Sequence, residues 1–192
     1  MPASAMMRKP AAGAAGAAIV IAVVGAAAIL GAYYFQYGLG LEPCPLCLEQ
    51  RIAYYFAIPL ALIVAFADLR GAPRAPLAAG LVLIALAMLV NAGLGVYHAG
   101  VEWKFWPGPA DCSGPVTGLG RASDLMRQLR NVTVVRCDEA AWRFLGLSLA
   151  GYNVLISLAL AAIAAWGAVC AWSRNARRSP DERSDFRERQ PG

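Results

Sequence analysis

An all-α membrane protein, a four-helix transmembrane bundle with a short first and a long second extracytoplasmic loop, is the fold class the sequence predicts from three observations. The chain of 192 residues is 59% hydrophobic and only 15% charged, with a mean hydropathy of +0.52, too apolar for an ordinary soluble domain. Apolar stretches lie at about 14–35, 51–68, 76–97 and 144–172. The polar residues collect in the gaps and at the ends, which gives one membrane domain over 1–172 and a polar tail over 173–192.

A helix rises ~1.5 Å per residue, so about 20 residues cross a hydrocarbon core of ~30 Å. The first, third and fourth stretches meet that length. The second is shorter and crosses if Arg51 and Asp68 extend toward the headgroups or the bilayer thins. Pro59 within it predicts a bend. Arg8 and Lys9 ahead of the Ala-rich first stretch also suit a signal peptide, but the run is long and ends in Tyr33, Tyr34 and Phe35, an interfacial anchor rather than a cleavage site. The tail has no apolar period and reads as disordered.

Four spans put both termini on one side and both connecting loops, 36–50 and 98–143, on the other. Arg8, Lys9, Arg70, Arg74, Arg174, Arg177 and Arg178 favour a cytoplasmic side for the termini, although the second loop also carries Lys104 and several arginines. Paired cysteines break the tie, because disulfides persist in oxidising compartments. The cysteine loops are therefore expected to be extracytoplasmic. The net charge of +5 suits anionic lipid headgroups, and no nucleic-acid motif is present.

Four of the five cysteines lie in the two loops. Cys44-Pro45-Leu46-Cys47 alone fits a redox pair, half of a zinc site or a simple clip. Pro45 suits the first position of a helix, which makes Cys44 an N-cap and places Cys47 in the first turn. A helix N-terminus favours thiolate over thiol. Arg51 follows Cys47 by one turn and shares its face, and His98, the only histidine, closes the third span at the same side of the membrane. A thiolate, an arginine and a histidine at a lipid boundary suit a hydrophobic electron acceptor with a polar head, such as a quinone. The blander readings are a headgroup anchor for Arg51 and an interfacial packing residue for His98.

Cys112 lies in a Gly- and Pro-rich stretch expected to be accessible, and Cys137 follows the basic run that ends at Arg136. A structural disulfide between these two is the plain alternative to a redox pair. Residues 123–129 suit a short surface helix, Cys170 a buried packing role, and Asn91 and Asn153 interhelical hydrogen bonding.

The run Glu42-Pro43-Cys44-Pro45-Leu46-Cys47-Leu48-Glu49-Gln50-Arg51, the four spans and the two loop cysteines ahead of the fourth span resemble the disulfide bond formation protein B (DsbB) family of bacterial inner-membrane thiol oxidases. The similarity covers roughly 34–172. It implies that Cys44 and Cys47 are the quinone-linked pair and that Arg51 supports the quinone reaction, with His98 near the quinone. Cys112 would be attacked by a periplasmic DsbA-like thiol oxidase and Cys137 would be its resolving partner. The acceptor implied is ubiquinone or menaquinone, and no metal. The vitamin K epoxide reductase type has a similar bundle but carries its C-x-x-C late in the chain. A membrane scaffold held by zinc or by plain disulfides, without redox turnover, is the non-enzymatic alternative.

Overall fold

In a computed structural model, residues 13–109 and 137–176 are described. Four helices among them are long and apolar enough to cross a membrane. Helix α1 covers Ala14–Tyr33 and widens into a π-helical turn, Tyr34–Gly38; α2 is Pro45–Leu69 and α3 is Arg74–Glu102. Two short strands, β1 (Arg143–Phe144) and β2 (Leu147–Ser148), lead directly into α4, Leu149–Ala176. Cys112, the 123–129 segment and the tail from 177 onward lie outside the described residues.

Helix α3 runs to Glu102, past the apolar stretch that ends at about 97, so that His98 is helical, and two other boundaries differ for a local reason. Helix α2 starts at Pro45 because proline needs no N–H there and Cys44 caps the turn, so its Sγ accepts from the Cys47 amide at 3.3 Å. The polar run 48–51 is thereby helical, and the short apolar stretch becomes a span of 25 residues that runs through Pro59. Helix α4 starts at Leu149 because 143–148 form an antiparallel hairpin pairing Arg143 with Ser148 and Phe144 with Leu147. Leu145 and Gly146, at φ 47° and 82°, supply the two consecutive left-handed residues of a tight hairpin turn.

The bundle is apolar on both its faces, and residue size distinguishes inside from outside. Alanines dominate the buried cluster, among them Ala18, Ala57, Ala61, Ala164 and Ala171, while Leu30, Ile63, Val90 and Trp172 point outward. Without a hydrophobic drive between helices in lipid, small residues let backbones approach and gain dispersion contacts. Helix α1 belongs to this packing, with Ala18 and Ile21 fully buried. At one end of the bundle the uncapped start of α1 is served from α2, where the buried Asp68 carboxylate accepts from the Ala15 amide at 3.0 Å. Cys170 of α4 packs against Gly13 at that same end. Cys44 and His98 lie at the opposite end, as four crossings require.

The closest approach of α3 to α4 depends on Gly95, where a Cβ would sit 2.8 Å from Val154 Cγ2 and 3.4 Å from the Ala150 carbonyl. Gly93, two residues earlier, has nothing within 4 Å. Gly95→Leu should therefore cost ~1–3 kcal/mol by overpacking, read as a lowered thermal midpoint in detergent. Gly93→Leu should leave that midpoint unchanged, and equal effects from the two would contradict this packing.

Candidate functional site

The N-terminus of α2, the C-terminus of α3 and the hairpin ahead of α4 meet at one end of the bundle. Cys44 and Cys47 are free, with their sulfurs 2.9 Å apart. Being an N-cap, Cys44 has extended backbone angles, φ −72° and ψ 164°, so its side chain leaves the helix in a direction a helical residue could not take. It is buried against Leu46, Val101 and Cys137, with Cys47 at the edge of the cluster. Cys137 is 1% exposed and disulfide-bonded. The Lys104 ammonium, paired with Asp138, ties the end of α3 to this segment.

Cys47 faces the other way. It lines a cavity of about 450 Å³ between α1, α2 and α4, together with Arg51, Gln50, Tyr54, His98 and Asn153. The rest of the wall is mostly apolar, with Ile29, Phe35, Trp142 and Phe144 among its members. Phe35 and Trp142 pack at a centroid distance of 5.1 Å, and Trp142 stacks on Phe144 at 5.7 Å. Polar groups gathered at one end of an apolar cavity suit a ligand of the same polarity.

Arg51, on α2, lines this cavity and is held there by partners on the first span. Its Nη1 donates to Gln36 Oε1 at 2.7 Å and its guanidinium lies 5.4 Å from the centre of the Tyr33 ring. The π-helical turn that contains Gln36 widens the end of α1 and places that acceptor. A headgroup anchor would have no need of two partners on a neighbouring helix.

His98 is 3% exposed, and its ring is orientated from the bundle interior. Tyr54 Oη donates to Asn153 Oδ1 at 2.7 Å and Asn91 Nδ2 donates to the same oxygen at 3.3 Å. Asn153 must then present its amide nitrogen to Gln50, and Nδ2 donates to Gln50 Oε1 at 2.6 Å. Gln50 in turn presents Nε2, which donates to His98 Nδ1 at 2.9 Å. An accepting Nδ1 leaves the ring proton on Nε2. That nitrogen faces Cys44 Sγ at 3.6 Å and donates to it.

The Cys44 thiol is consequently lowered to about 5. The hydrogen bond with the Cys47 thiol is the largest cause, and the hydrogen bonds from His98 and from the Cys47 amide add to it against the opposing effect of burial. Cys44, Cys47 and His98 also hold their ligand atoms within 4.8 Å of one another, close enough for a metal ion. The Gln50 contact opposes that use, since a protonated Nε2 has no lone pair to give.

The residues that the sequence singled out thus come together at one end: Cys44, Cys47 and His98 in contact, Arg51 on the wall of the cavity that Cys47 also lines, and Cys137 beside Cys44. Gln50, Tyr54 and Glu102 were not anticipated. Gln50 had a signal, because it lies three residues after Cys47 and so on the same helical face. In the reduced protein, thiolate absorbance assigned by its loss in Cys44→Ala should persist at pH 6 and disappear as pH falls through about 5. His98→Phe removes one donor to the sulfur and should move that titration upward; an unchanged midpoint would deny His98 this role.

A family model described as disulfide bond formation protein DsbB matches residues 14–167. A protein named disulfide bond formation protein B from Xanthomonas oryzae pv. oryzae is 37% identical over 143 residues, covering 70% of this chain and 79% of its own. Proteins of the same name from Polaromonas sp. and Marinobacter nauticus are 32% and 33% identical, covering 68% and 65% of this chain and 76% and 73% of theirs. No solved structure matches.

Proposed function

The chain belongs to the disulfide bond formation protein DsbB family, and from that premise we propose that it is a quinone-dependent protein-dithiol oxidoreductase. It reoxidises a periplasmic DsbA-like thiol oxidase and passes two electrons to membrane quinone, ubiquinone or menaquinone. In this reading the protein lies in the bacterial inner membrane with both termini cytoplasmic and the cysteine end periplasmic. The observation that carries it is the unequal surroundings of two sulfurs in contact: Cys44 is buried against Cys137, whereas Cys47, at the edge of that cluster, also lines an apolar cavity with polar groups at one end.

The relay follows from that division. The partner's thiolate attacks Cys112 and frees Cys137 as a thiolate. Cys137 attacks Cys44 in the Cys44–Cys47 disulfide, and Cys47 departs. The partner's second thiol releases Cys112, which attacks Cys137 and displaces Cys44. Exchange is faster when the leaving thiol has a low pKa, and the hydrogen bonds of the Cys47 thiol, first, and then of His98 and the Cys47 amide give Cys44 that property. The resulting Cys44–Cys47 dithiol is oxidised by quinone, which takes up two electrons and two protons. The ring would occupy the cavity, its oxygen toward Arg51 and His98, and its isoprenoid chain against the apolar wall.

The reading is tested by mixing the purified, reduced protein with quinone and following free thiols and quinone absorbance together. Loss of one thiol pair per quinone consumed is expected, and Cys47→Ala should abolish it. Stable thiols, with zinc bound in stoichiometric amount, would establish the scaffold instead.

Two variants separate the steps. Cys137→Ala should accumulate a reductant-sensitive adduct between Cys112 and the partner, because the resolving sulfur is gone; an adduct in Cys112→Ala instead would exchange the two roles. Arg51→Ala should raise the quinone KM by roughly 3–10-fold, the size of one hydrogen bond, with Arg51→Lys recovering only part since the planar fork is lost. Unaltered quinone kinetics would return Arg51 to a structural role.

A further inference from the structure

Glu102 ends α3 one turn beyond His98, and the relay above makes no use of it. It is 7% exposed, a high degree of burial for a carboxyl group. Its Oε1 lies 3.8 Å from His98 Nε2, the nitrogen that donates to Cys44. Its Oε2 is buried with no hydrogen-bond partner among the described residues. The groups that face it are His98 on its own helix, Cys44 and Cys47 at the start of α2, Arg143 on β1 and the Ser148 hydroxyl on β2. An anion with an orphaned oxygen in such a place is costly, and a second anion on Cys44 makes it more so. A carboxylic acid meets neither penalty.

The proton count of the relay leaves a vacancy of the matching kind. When the loop dithiol reduces the Cys44–Cys47 disulfide, two protons come with the electron pair. One remains on the Cys47 thiol. Cys44 is left as a thiolate, so the other proton must reside elsewhere until the pair is oxidised.

We propose that Glu102 holds this second proton: it is a carboxylic acid while Cys44 is a thiolate, and a carboxylate when the disulfide is closed. The inference rests on the proposed function for its oxidant, a quinone. The step balances as quinone plus Cys44 thiolate, Cys47 thiol and Glu102 acid, going to quinol plus the Cys44–Cys47 disulfide and the Glu102 carboxylate. The S–S bond forms, both thiol electrons pass to quinone, and its two oxygens receive one proton from Cys47 and one from Glu102. Net charge at the site is the same before and after, so no uncompensated charge is created in a poorly solvated place. Glu102 acts here as a proton store beside the reacting sulfurs.

The test is an infrared difference spectrum of the full chain in detergent, dithiol minus disulfide, with no quinone added. Reduction should bring in one protonated-carboxyl band, shifted by 13C-glutamate labelling and missing in Glu102→Gln. In stopped-flow with quinone, Glu102→Gln should oxidise its dithiol about tenfold more slowly and lose the wild-type pH dependence of that step. A wild-type spectrum without the band, or a band that survives in Glu102→Gln, overturns the proposal. If Glu102→Gln does not fold, the wild-type band and its isotope shift decide alone. A wild-type protein that shows the band but is never oxidised by quinone overturns the acceptor and leaves the redox-linked carboxyl in place.

Discussion

A chain of side-chain hydrogen bonds through the middle of the bundle governs both its packing and its chemistry. It runs from Tyr54, Asn91 and Ser157 through Asn153 and Gln50 to His98 and ends on Cys44. Each member lies where lipid offers no water, so every donor needs an acceptor on a neighbouring helix. Such bonds contribute modestly apiece, on the order of 0.6 kcal/mol in a membrane. Their larger effect is on register: slipping α2, α3 or α4 by one residue would break several at once. The same amides that set register also dictate which nitrogen of His98 holds the proton. The state of the sulfur and the alignment of three helices are therefore one constraint.

Placing that chain behind Cys44 gives two chemically similar residues unequal surroundings. Had both cysteines been helical, three residues apart, they would have shared a face and a solvent. Because Pro45 begins the helix, Cys44 keeps extended angles and turns toward His98 and Cys137, while Cys47 takes the helical direction into the cavity. In the proposed relay, one proline thereby separates the sulfur that exchanges with thiols from the sulfur that meets the quinone. A metal ion at Cys44, Cys47 and His98, whose ligand atoms do lie within 4.8 Å of one another, would need an unprotonated imidazole nitrogen facing the sulfurs, and the Gln50 contact withholds it.

The sequence carried the fold well because membrane helices announce themselves by length and apolarity, and parity then assigns the ends. The cap at Cys44 and the shared face of Cys47 and Arg51 were legible too, since they follow from short-range helix geometry. Elements fixed by tertiary partners were not. The start of α4 depends on a hairpin whose turn uses Leu145 at φ 47°, and leucine gives no sign of that conformation. Asn91 and Asn153 read correctly as bonds between helices, but no sequence pattern says that they terminate at a histidine and set its tautomer. Nothing in the sequence sets Glu102 apart, and only the burial of Val101 and Ser148 and the Trp106 ring over Gly100 show that this end of α3 is enclosed.

Arg51 illustrates why proximity in sequence does not settle electrostatics. One turn from Cys47, it seemed placed to hold a thiolate, yet the lowered thiol is Cys44, and the causes are Cys47, His98 and a backbone amide. The guanidinium is spent instead on Gln36 and Tyr33, which pull it to the cavity wall. That placement is functionally coherent. In the proposed function, a cation held by these partners on the cavity wall stabilises negative charge on the quinone that receives the electrons. Thiolate stabilisation by a neutral donor and a helix end is weaker and reversible, which suits a pair that must be emptied in every cycle.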